Sequence, residues 1–419
     1  MPNVLEGTAL NPKKQSTERQ LTLASAAAGP AKEPQPGRRH VVAGLFAGIG
    51  GLELGFARAG HETALLCEIE PGAAAVLRDR FPGLPVHDDV CTLEALPEEV
   101  SLVLAGFPCQ DLSQAGKTVG IEGSRSGLVG EVFRLIHERR VGTVVLENVP
   151  FMLRLASGKA MDVITSTFES MGYAWAYRTV DALAFGRPQR RERVYFVASR
   201  ELDPREVLFA DEAGAPSSLP DWNTVACGFY WTEGIRGLGW AVDAVPTLKG
   251  GSTIGIPSPP AIVFPDGRVV TPDIRDAERL QGFEVDWTTP ARSVTRAGHR
   301  WKMVGNAVSV EAAAWLGRRI AQPGPVLGLD EWLLQSGKAW PSAAYNIGLG
   351  RVGVAASTYP VAVTRPSLAE FLRYEPAPLS LRATLGFLER CNRGNLRFPP
   401  GFLAKIEAHA RRLELPVAA

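Results

Sequence analysis

Short apolar runs alternate with helical segments through residues 40–200, and this alternation constrains the fold more than any other feature of the sequence. Strands that alternate with helices build βαβ units, and such units form parallel sheets. We therefore predict an α/β fold whose main domain covers residues 39–200. The predicted strands begin at His40 and cover 63–67, 102–105, 143–146 and 193–198, and the predicted helices cover 52–60, 73–81, 127–139 and 159–171.

The rest of the chain differs from this domain in its composition and hydrophobic periodicity. Residues 1–38 have no periodicity, and we predict a disordered tail. Residues 201–275 are rich in Gly, Pro and Trp without a helix of normal length, which indicates a smaller irregular or β-rich domain. Residues 276–325 return to helical spacing and are predicted to complete the main domain. Residues 326–419 are predicted to form a C-terminal extension with helices near 379–392 and 401–413.

Composition excludes several classes of protein. The chain has 419 residues, of which 45% are hydrophobic and 21% charged, so it is neither disordered throughout nor collagen-like. No apolar run approaches the roughly 18 residues that a membrane span needs, and the weakly apolar segment 21–31 does not meet the criteria for a signal peptide. The net charge of +1 leaves nucleic-acid binding open, because binding depends on where positive charge lies. The five cysteines contain no CxxC pair and no zinc spacing, which predicts free thiols, no metal site and a cytoplasmic location.

A glycine-rich turn follows the first predicted strand, in the sequence FAGIGGL at residues 46–52. Glycines at this place allow a tight turn and a close approach of a ligand to a helix N-terminus. Glu68 lies 20 residues after Gly48, where an acidic residue binds ribose hydroxyls. The pattern suggests a nucleoside cofactor. It does not separate NAD from S-adenosylmethionine, and a turn that serves only packing remains open.

Reactive side chains follow three other predicted strands. Cys109 lies in GFPCQ after residues 102–105, before a polar segment that could close over a site, and Glu147 opens ENVP after residues 143–146. QRRER at 189–193 opens the last strand with a guanidinium pair suited to phosphate or a polar base edge. Each pattern also fits an alternative, namely a buried structural cysteine, a capping glutamate or a solvated charge cluster.

The order and spacing of these motifs resemble those of cytosine-C5 DNA methyltransferases of the bacterial restriction-modification or defence type. FAGIGGLELGF resembles the family's cofactor loop, GFPCQDLSQAG its nucleophile loop, ENVP its glutamate motif and QRRERVYFVA its arginine strand. RLQGF at 279–283 and GNAVS at 305–309 resemble its last two motifs. The resemblance covers residues 40–320. It implies a Rossmann-like methyltransferase sheet and a target-recognition domain at residues 201–275.

The resemblance also implies the chemistry. Cys109 would add to C6 of cytosine, so that C5 accepts a methyl group from S-adenosylmethionine. Glu147 would protonate N3, which requires a raised pKa near neutral pH. Arg193 would contact O2 of the base, and Arg191 would help to hold the site. The residues implied for the cofactor are Phe46, Gly48, Ile49, Gly51, Glu68, Ile69, Asp89, Val90, Pro108 and Asn306, with Glu68 on the ribose and Ile69 and Asp89 at the adenine.

The implied substrate is double-stranded DNA, from which the enzyme would flip a cytosine in a short specific sequence. The side chains expected to contact DNA are Ser113, Arg125, Gln189 and Thr247. Basic residues concentrate within 187–200 and 292–302, and we expect phosphate contacts from both groups. The resemblance implies a monomer in the bacterial cytoplasm, associated with the nucleoid and not with a membrane. Its functional partners would be a cognate restriction endonuclease or other defence-system proteins.

Three other functions share parts of the pattern. A relative that methylates transfer RNA would carry a Cys-Phe-Thr tripeptide, which this chain lacks. A nicotinamide-dependent oxidoreductase would use the glycine turn but would leave Cys109 and Glu147 without a role. A catalytically silent DNA-binding regulator is disfavoured by the presence of both residues.

Overall fold

Two sheets organise the chain in the computed structural model, which describes residues 37–108, 127–250, 259–335 and 337–414. The larger sheet has the order β12-β14-β13-β6-β7-β5-β4-β1-β2-β3, and the smaller sheet has the order β15-β11-β10-β8-β9. The strands in chain order are β1 (Val41–Leu45), β2 (Glu62–Cys67), β3 (Val86–His87), β4 (Leu102–Ala105), β5 (Thr143–Asn148), β6 (Ala174–Asp181), β7 (Glu192–Ser199), β8 (Cys227–Phe229), β9 (Ala241–Val242), β10 (Ala261–Val263), β11 (Val269–Thr271), β12 (Glu331–Leu333), β13 (Ala343–Asn346), β14 (Val352–Val354) and β15 (Ala377–Pro378).

The α/β prediction of a Rossmann-like sheet is confirmed, but the sheet is parallel only in one half. Strands β3, β2, β1, β4 and β5 run parallel. Strand β7 lies antiparallel between β5 and β6, so the prediction of a parallel sheet throughout is wrong there. The physical reason is that β6 and β7 follow each other without a crossover helix, and strands joined in this way pair antiparallel. Strand β6 was missed by the pattern analysis because almost all of its residues are buried, on both faces.

Helices cover both faces of the larger sheet. Phe56 of α1 and Leu316 of α8 pack on one face, and Ile136 of α3 and Phe168 of α4 pack on the other. Each of these four side chains is fully buried, which stabilises the fold by about 1.5–3 kcal/mol per side chain. Within the described ranges, no helix has the length and apolar character to cross a membrane. The helices are α1 (Gly51–Arg58), α2 (Pro71–Arg80), α3 (Leu128–Arg139), α4 (Lys159–Ser170), α5 (Arg205–Leu208), α6 (Ile274–Gln281), α7 (His299–Asn306), α8 (Val310–Ala321), α9 (Leu368–Phe371), α10 (Leu381–Arg393) and α11 (Phe402–Glu414).

The smaller sheet lies between two hydrophobic cores. Ile262 of β10 packs in a core with Leu280 of α6 and other residues of the main domain. Phe229 of β8 packs in a second core with Phe387 of α10 and Phe402 of α11. The tryptophans of this region, Trp222, Trp231 and Trp240, pack against that second core. The smaller sheet is therefore covered on one side by the main domain and on the other by the C-terminal helices.

The C-terminal part of the chain contributes to both sheets. Strand β13 pairs with β6 and extends the larger sheet, and β14 and β12 follow it to the edge. Strand β15 pairs with β11 of the smaller sheet, and α10 and α11 then complete its second core. The predicted boundary at residue 326 remains a proposal, but the segment after it contributes strands to both sheets. Residues 1–36 of the predicted tail lie outside the described residues.

Candidate active site

A pocket opens at the carboxyl ends of β1, β2 and β4, where sheets of this kind bind ligands. Nine of the ten residues that were expected to hold the cofactor line it. Sequence reasoning missed Glu70, Lys302 and Met303, which also line the pocket. Lys302 had a usable signal, because it precedes Asn306 by four residues and so shares its face of α7. The nine are Phe46, Gly48, Ile49, Glu68, Ile69, Asp89, Val90, Pro108 and Asn306.

The glycine turn shapes one wall of this pocket. Phe46 and Gly48 have φ angles of 55° and 57°, a left-handed conformation that glycine adopts at little cost and phenylalanine does not. A side chain at Gly48 would meet no atom within 4 Å, so this glycine leaves open space. Gly51 does not line the pocket: a Cβ there would lie 2.7 Å from the carbonyl oxygen of Val308. Its glycine is needed for the close packing of α1 against the segment before α8.

The carboxylate of Glu68 ties the turn to the end of β2. One oxygen accepts a hydrogen bond from the backbone N–H of Gly48 at 2.7 Å, and the other accepts from the N–H of Glu70 at 2.8 Å. Burial raises the pKa of Glu68, and these backbone donors partly offset that effect. Ile69 follows with 69% of its surface exposed, which is unusual for an isoleucine. A fixed carboxylate therefore stands beside a free apolar surface.

The other walls of the pocket come from separate parts of the chain. Asp89 is partly buried, and its side chain accepts a hydrogen bond from the N–H of Cys91 at 2.9 Å. Pro108 ends the described segment after β4, and Asn148 at the end of β5 donates a hydrogen bond to the carbonyl of Phe107 at 3.0 Å. Asn306, at the end of α7, closes the pocket from the opposite side.

Glu147 and Arg193 form a buried ion pair beside the pocket. The Nε atom of Arg193 lies 3.0 Å from Oε1 of Glu147, and the side chains are 11% and 9% exposed. The other oxygen of Glu147 lies 3.6 Å from where a Cβ on Gly106 would be, and Gly106 lines the pocket. Burial raises the pKa of Glu147, while the positive charges of Arg193 and Arg191 oppose this rise. The pair can hold a polar ring edge with a carboxyl group and a guanidinium group.

Arg191 connects three segments and does not face the pocket. Its guanidinium donates hydrogen bonds to the carbonyls of Leu248, Gly305 and Ala307, at 3.3, 3.2 and 2.5 Å. The residue is 1% exposed. These hydrogen bonds attach the smaller domain and the segment around Asn306 to the start of β7. Arg191 is therefore a positioning residue.

The side chains expected to contact DNA have different surroundings. Gln189 is fully buried. Its side-chain amide donates hydrogen bonds to the carbonyl of Leu280 and to Oε1 of Gln281, and it accepts one from the backbone N–H of Leu248. These surroundings argue against a DNA contact. Thr247 is partly exposed and donates a hydrogen bond to the carbonyl of Arg190 at 2.9 Å. Cys109, Ser113 and Arg125 lie outside the described residues.

One expected phosphate contact is wrong. Arg300 belongs to the basic group at 292–302, but the side chain is 2% exposed. Its guanidinium lies 2.8 Å from the carboxylate of Glu278 and also bonds Thr288. Charge grouping in the sequence could not distinguish this internal ion pair from a surface cation.

Comparison with known proteins identifies the family. The model for C-5 cytosine-specific DNA methylases matches residues 41–219. Type II methyltransferase M2.BsuMI of Bacillus subtilis (strain 168) is 47% identical over 382 residues, covering 87% of this chain and 97% of that protein. Type II methyltransferase M.Bsp6I of Bacillus sp. (strain RFL6) is 30% identical over 315 residues, covering 67% and 97%. The crystal structure of S. pombe Dnmt2 methyltransferase aligns with a TM-score of 0.47 and 16% identity, covering 68% of this chain and 98% of that one. The chain belongs to the C-5 cytosine-specific DNA methylases.

Proposed function

We propose that the protein transfers a methyl group from S-adenosylmethionine to C5 of a cytosine in a short sequence of double-stranded DNA. The observation that carries this proposal is the buried pair of Glu147 and Arg193 next to the pocket lined by Glu68 and Asn306. A site for a polar ring edge thus adjoins a site for a nucleoside. Both relatives are named type II methyltransferases, which supports a role in a restriction-modification system.

The residues of the pocket fit S-adenosylmethionine in their chemistry. The carboxylate of Glu68 suits the ribose hydroxyls, and the exposed surface of Ile69 suits the face of an adenine ring. Asp89 would accept a hydrogen bond from the adenine amino group. The open space at Gly48 and the side chain of Asn306 suit the amino-acid part. When bound, this cofactor supplies the methyl group.

The nucleophile of the proposed reaction is Cys109, in the family's nucleophile motif. Its thiolate adds to C6 of cytosine, and the electron pair of the C5–C6 bond becomes available at C5. After C5 has accepted the methyl group, loss of the C5 proton and departure of the thiolate restore the aromatic ring. This covalent route explains why a cysteine stands directly after Pro108, which lines the cofactor pocket.

Glu147 and Arg193 stabilise the base during this addition. Attack by the thiolate places negative charge on the ring, and a proton from Glu147 to N3 neutralises it. The raised pKa of Glu147, caused by burial, favours the protonated form that this step needs. Arg193 holds the carboxyl group through its Nε atom and donates from Nη1 to the carbonyl of Glu192, and its Nη2 would contact O2 of cytosine.

The burial of this pair supports base flipping as part of the proposed reaction. The side chains of Glu147 and Arg193 are 9% and 11% exposed, and a paired cytosine inside a duplex cannot reach them. Rotating the base out of the helix costs a few kcal/mol, which contacts to the DNA backbone must offset. Arg190 and Thr247 lie at the surface near the start of β7, and we propose that this rim contacts the DNA.

The test is transfer of a tritiated methyl group to unmethylated bacterial DNA, with transfer RNA assayed in parallel. Wild type, Cys109→Ser and Cys91→Ser would be compared, since Cys91 is an exposed free thiol with no role in the mechanism. We expect label on DNA with wild type and Cys91→Ser and none with Cys109→Ser, and bisulfite sequencing should place it at C5 in one short motif. Label on RNA alone, or label retained by Cys109→Ser, would overturn the proposal.

A further inference from the structure

A two-residue tip with an exposed arginine projects from the smaller domain. The backbone N–H of Gly234 bonds the carbonyl of Gly237 at 3.0 Å, which places Ile235 and Arg236 at the end of a hairpin. Both tip residues are exposed, Ile235 to 46%. Among the described residues, Arg236 has no hydrogen bond and no ion pair, whereas most arginines of this domain have a partner.

The C-terminal helix α10 holds this hairpin in place. Arg390 donates hydrogen bonds to the carbonyls of Trp231 and Glu233, at 2.7 and 3.0 Å. At the end of α10, a Cβ on Gly394 would lie 2.8 Å from the carbonyl oxygen of Gly234, so the two backbones are in close contact. A tip fixed from its base in this way loses little conformational entropy when it binds.

A short series of contacts connects the hairpin to the rim of the active site. The hydroxyl of Tyr230, at the base of the hairpin, bonds the carbonyl of Thr247 at 2.6 Å, and Thr247 bonds Arg190. Lys249 stacks on the ring of Tyr230 at 3.5 Å and forms an ion pair with Glu233. The base of the hairpin is thus in contact with the rim that Thr247 and Arg190 form near the start of β7.

We propose that Arg236 reads a guanine of the target sequence, with its guanidinium bonded to O6 and N7 in the major groove. This inference rests on the proposed methylation of duplex DNA. Arginine makes this bidentate contact more often than any other specific base contact. The neighbouring Ile235 favours base edges over phosphates, because an apolar side chain gains contact with a thymine methyl group but not with a charged backbone. The C-terminal helix α10 then holds Arg236 in position for this contact.

The test uses duplexes that carry the recognition sequence mapped by bisulfite sequencing. Each guanine is replaced in turn by 7-deazaguanine, which lacks the N7 acceptor. We expect kcat/KM of the wild type to fall about fivefold or more at one guanine, and kcat/KM of Arg236→Ala on the natural duplex to fall about 5- to 150-fold. At that one guanine, 7-deazaguanine should cause no further loss with Arg236→Ala.

Two further variants separate recognition from general effects. Arg318→Ala removes an exposed arginine of α8 that has no side-chain partner among the described residues, and it should leave kcat/KM and the response to each 7-deazaguanine unchanged. Arg390→Met should reduce the response at the same guanine while S-adenosylhomocysteine binds normally. The inference is overturned if Arg236→Ala responds to every 7-deazaguanine as wild type does, or if it weakens all sequences equally with a smaller salt slope, as a phosphate contact would. Absence of any DNA methylation by the wild type would instead overturn the proposed function, and this inference with it.

Discussion

Glu147 is the last residue but one of strand β5 and Arg193 is the second residue of strand β7, yet their side chains are 3.0 Å apart. The two strands run antiparallel, with Glu147 opposite Tyr195 and Asn148 opposite Val194. The start of β7 therefore reaches the same edge of the sheet as the end of β5. This single reversal of direction brings an arginine motif and a glutamate motif into one site, although 45 residues separate them in the sequence.

Replacing Glu147 by Gln should remove the proposed proton donor and keep the shape of the side chain. We expect kcat to fall by about 100- to 10,000-fold, the usual contribution of a general acid, with unchanged binding of S-adenosylhomocysteine. Glu192→Gln, which alters an exposed glutamate on the same rim, serves as the control. A similar loss in both variants would contradict the assigned role.

The rate of methyl transfer should also depend on the ionisation of Glu147. Since burial raises the pKa of this carboxyl, the active protonated form persists to a higher pH than for an ordinary glutamate. The ratio of the single-turnover rate of wild type to that of Glu147→Gln should therefore fall as pH rises through that pKa, because ionisation of Cys109 affects both proteins alike. Rates of both proteins measured from pH 5 to pH 9 would check this, and a ratio that stays constant over this range would count against a proton from Glu147.

Replacing Glu68 by Gln should weaken cofactor binding. The charged oxygens of Glu68 hold the glycine turn and would bind the ribose, and hydrogen bonds to a charged group contribute about 1.5–3 kcal/mol. We expect the Kd for S-adenosylhomocysteine to rise about tenfold or more by isothermal titration calorimetry. Glu62→Gln, at the exposed start of the same strand, should leave the Kd unchanged. Equal affinities in all three proteins would refute the assignment of the pocket.

Replacing Arg191 by Met should lower the free energy of unfolding. Three backbone carbonyls would lose a charged donor in the interior, so we expect the free energy of unfolding to fall by about 3 kcal/mol or more. Urea unfolding would measure this. Arg190→Met alters the exposed neighbour and should change stability by less than about 0.5 kcal/mol. If Arg191→Met were as stable as wild type, the three bonds would have no structural role.

Glu53 should make stability fall as the pH rises. This residue of α1 lies over Gly44, is fully buried, and neither carboxylate oxygen has a hydrogen-bond partner among the described residues. Burial raises its pKa from 4.5 to about 8. A raised carboxyl pKa means that the folded state retains a proton that the unfolded state has lost, so stability present below pH 4.5 is lost as the pH rises to about 8.

The measurement for Glu53 is the free energy of unfolding as a function of pH, for wild type and Glu53→Gln. The variant should show a weaker decrease between pH 5 and pH 8, because it has no carboxyl to ionise. Glu62→Gln, exposed on the adjacent strand, should retain the full decrease. An identical pH dependence in wild type and Glu53→Gln would show that Glu53 does not titrate in this range.

The sequence predicts the candidate site residues that directly follow a single predicted strand. Glu68 and Glu147 each follow a short apolar run, and the carboxyl ends of such runs meet at one edge of a parallel sheet. The contact between Glu147 and Arg193 depends on the order and direction of β5 and β7, which no local pattern contains. The burial of Gln189 could not be inferred from a local pattern either. Its direct neighbour Arg190 is exposed, so only the tertiary packing distinguishes the two residues.

Several elements escape sequence analysis because their pairing is distant. Strand β13 has only four residues, and its partner β6 precedes it by more than 160 residues. Strand β15 consists of Ala377 and Pro378 and is defined solely by its contact with β11. Short strands of this kind have little intrinsic preference for extended structure, so tertiary contacts decide their conformation.

The path of the C-terminal segment limits how the smaller domain can be exchanged between relatives. A chimera cut at residues 201 and 275 would transplant β8 to β11 but would leave behind β15, α10 and α11, which fill the second core of the smaller sheet. The transplanted strands would meet a foreign hydrophobic surface, and the hairpin at Gly234 would lose its support from Arg390. If the smaller domain selects the target sequence as proposed, a transferable module must therefore be discontinuous, with residues 201–275 and 377–414 moved together.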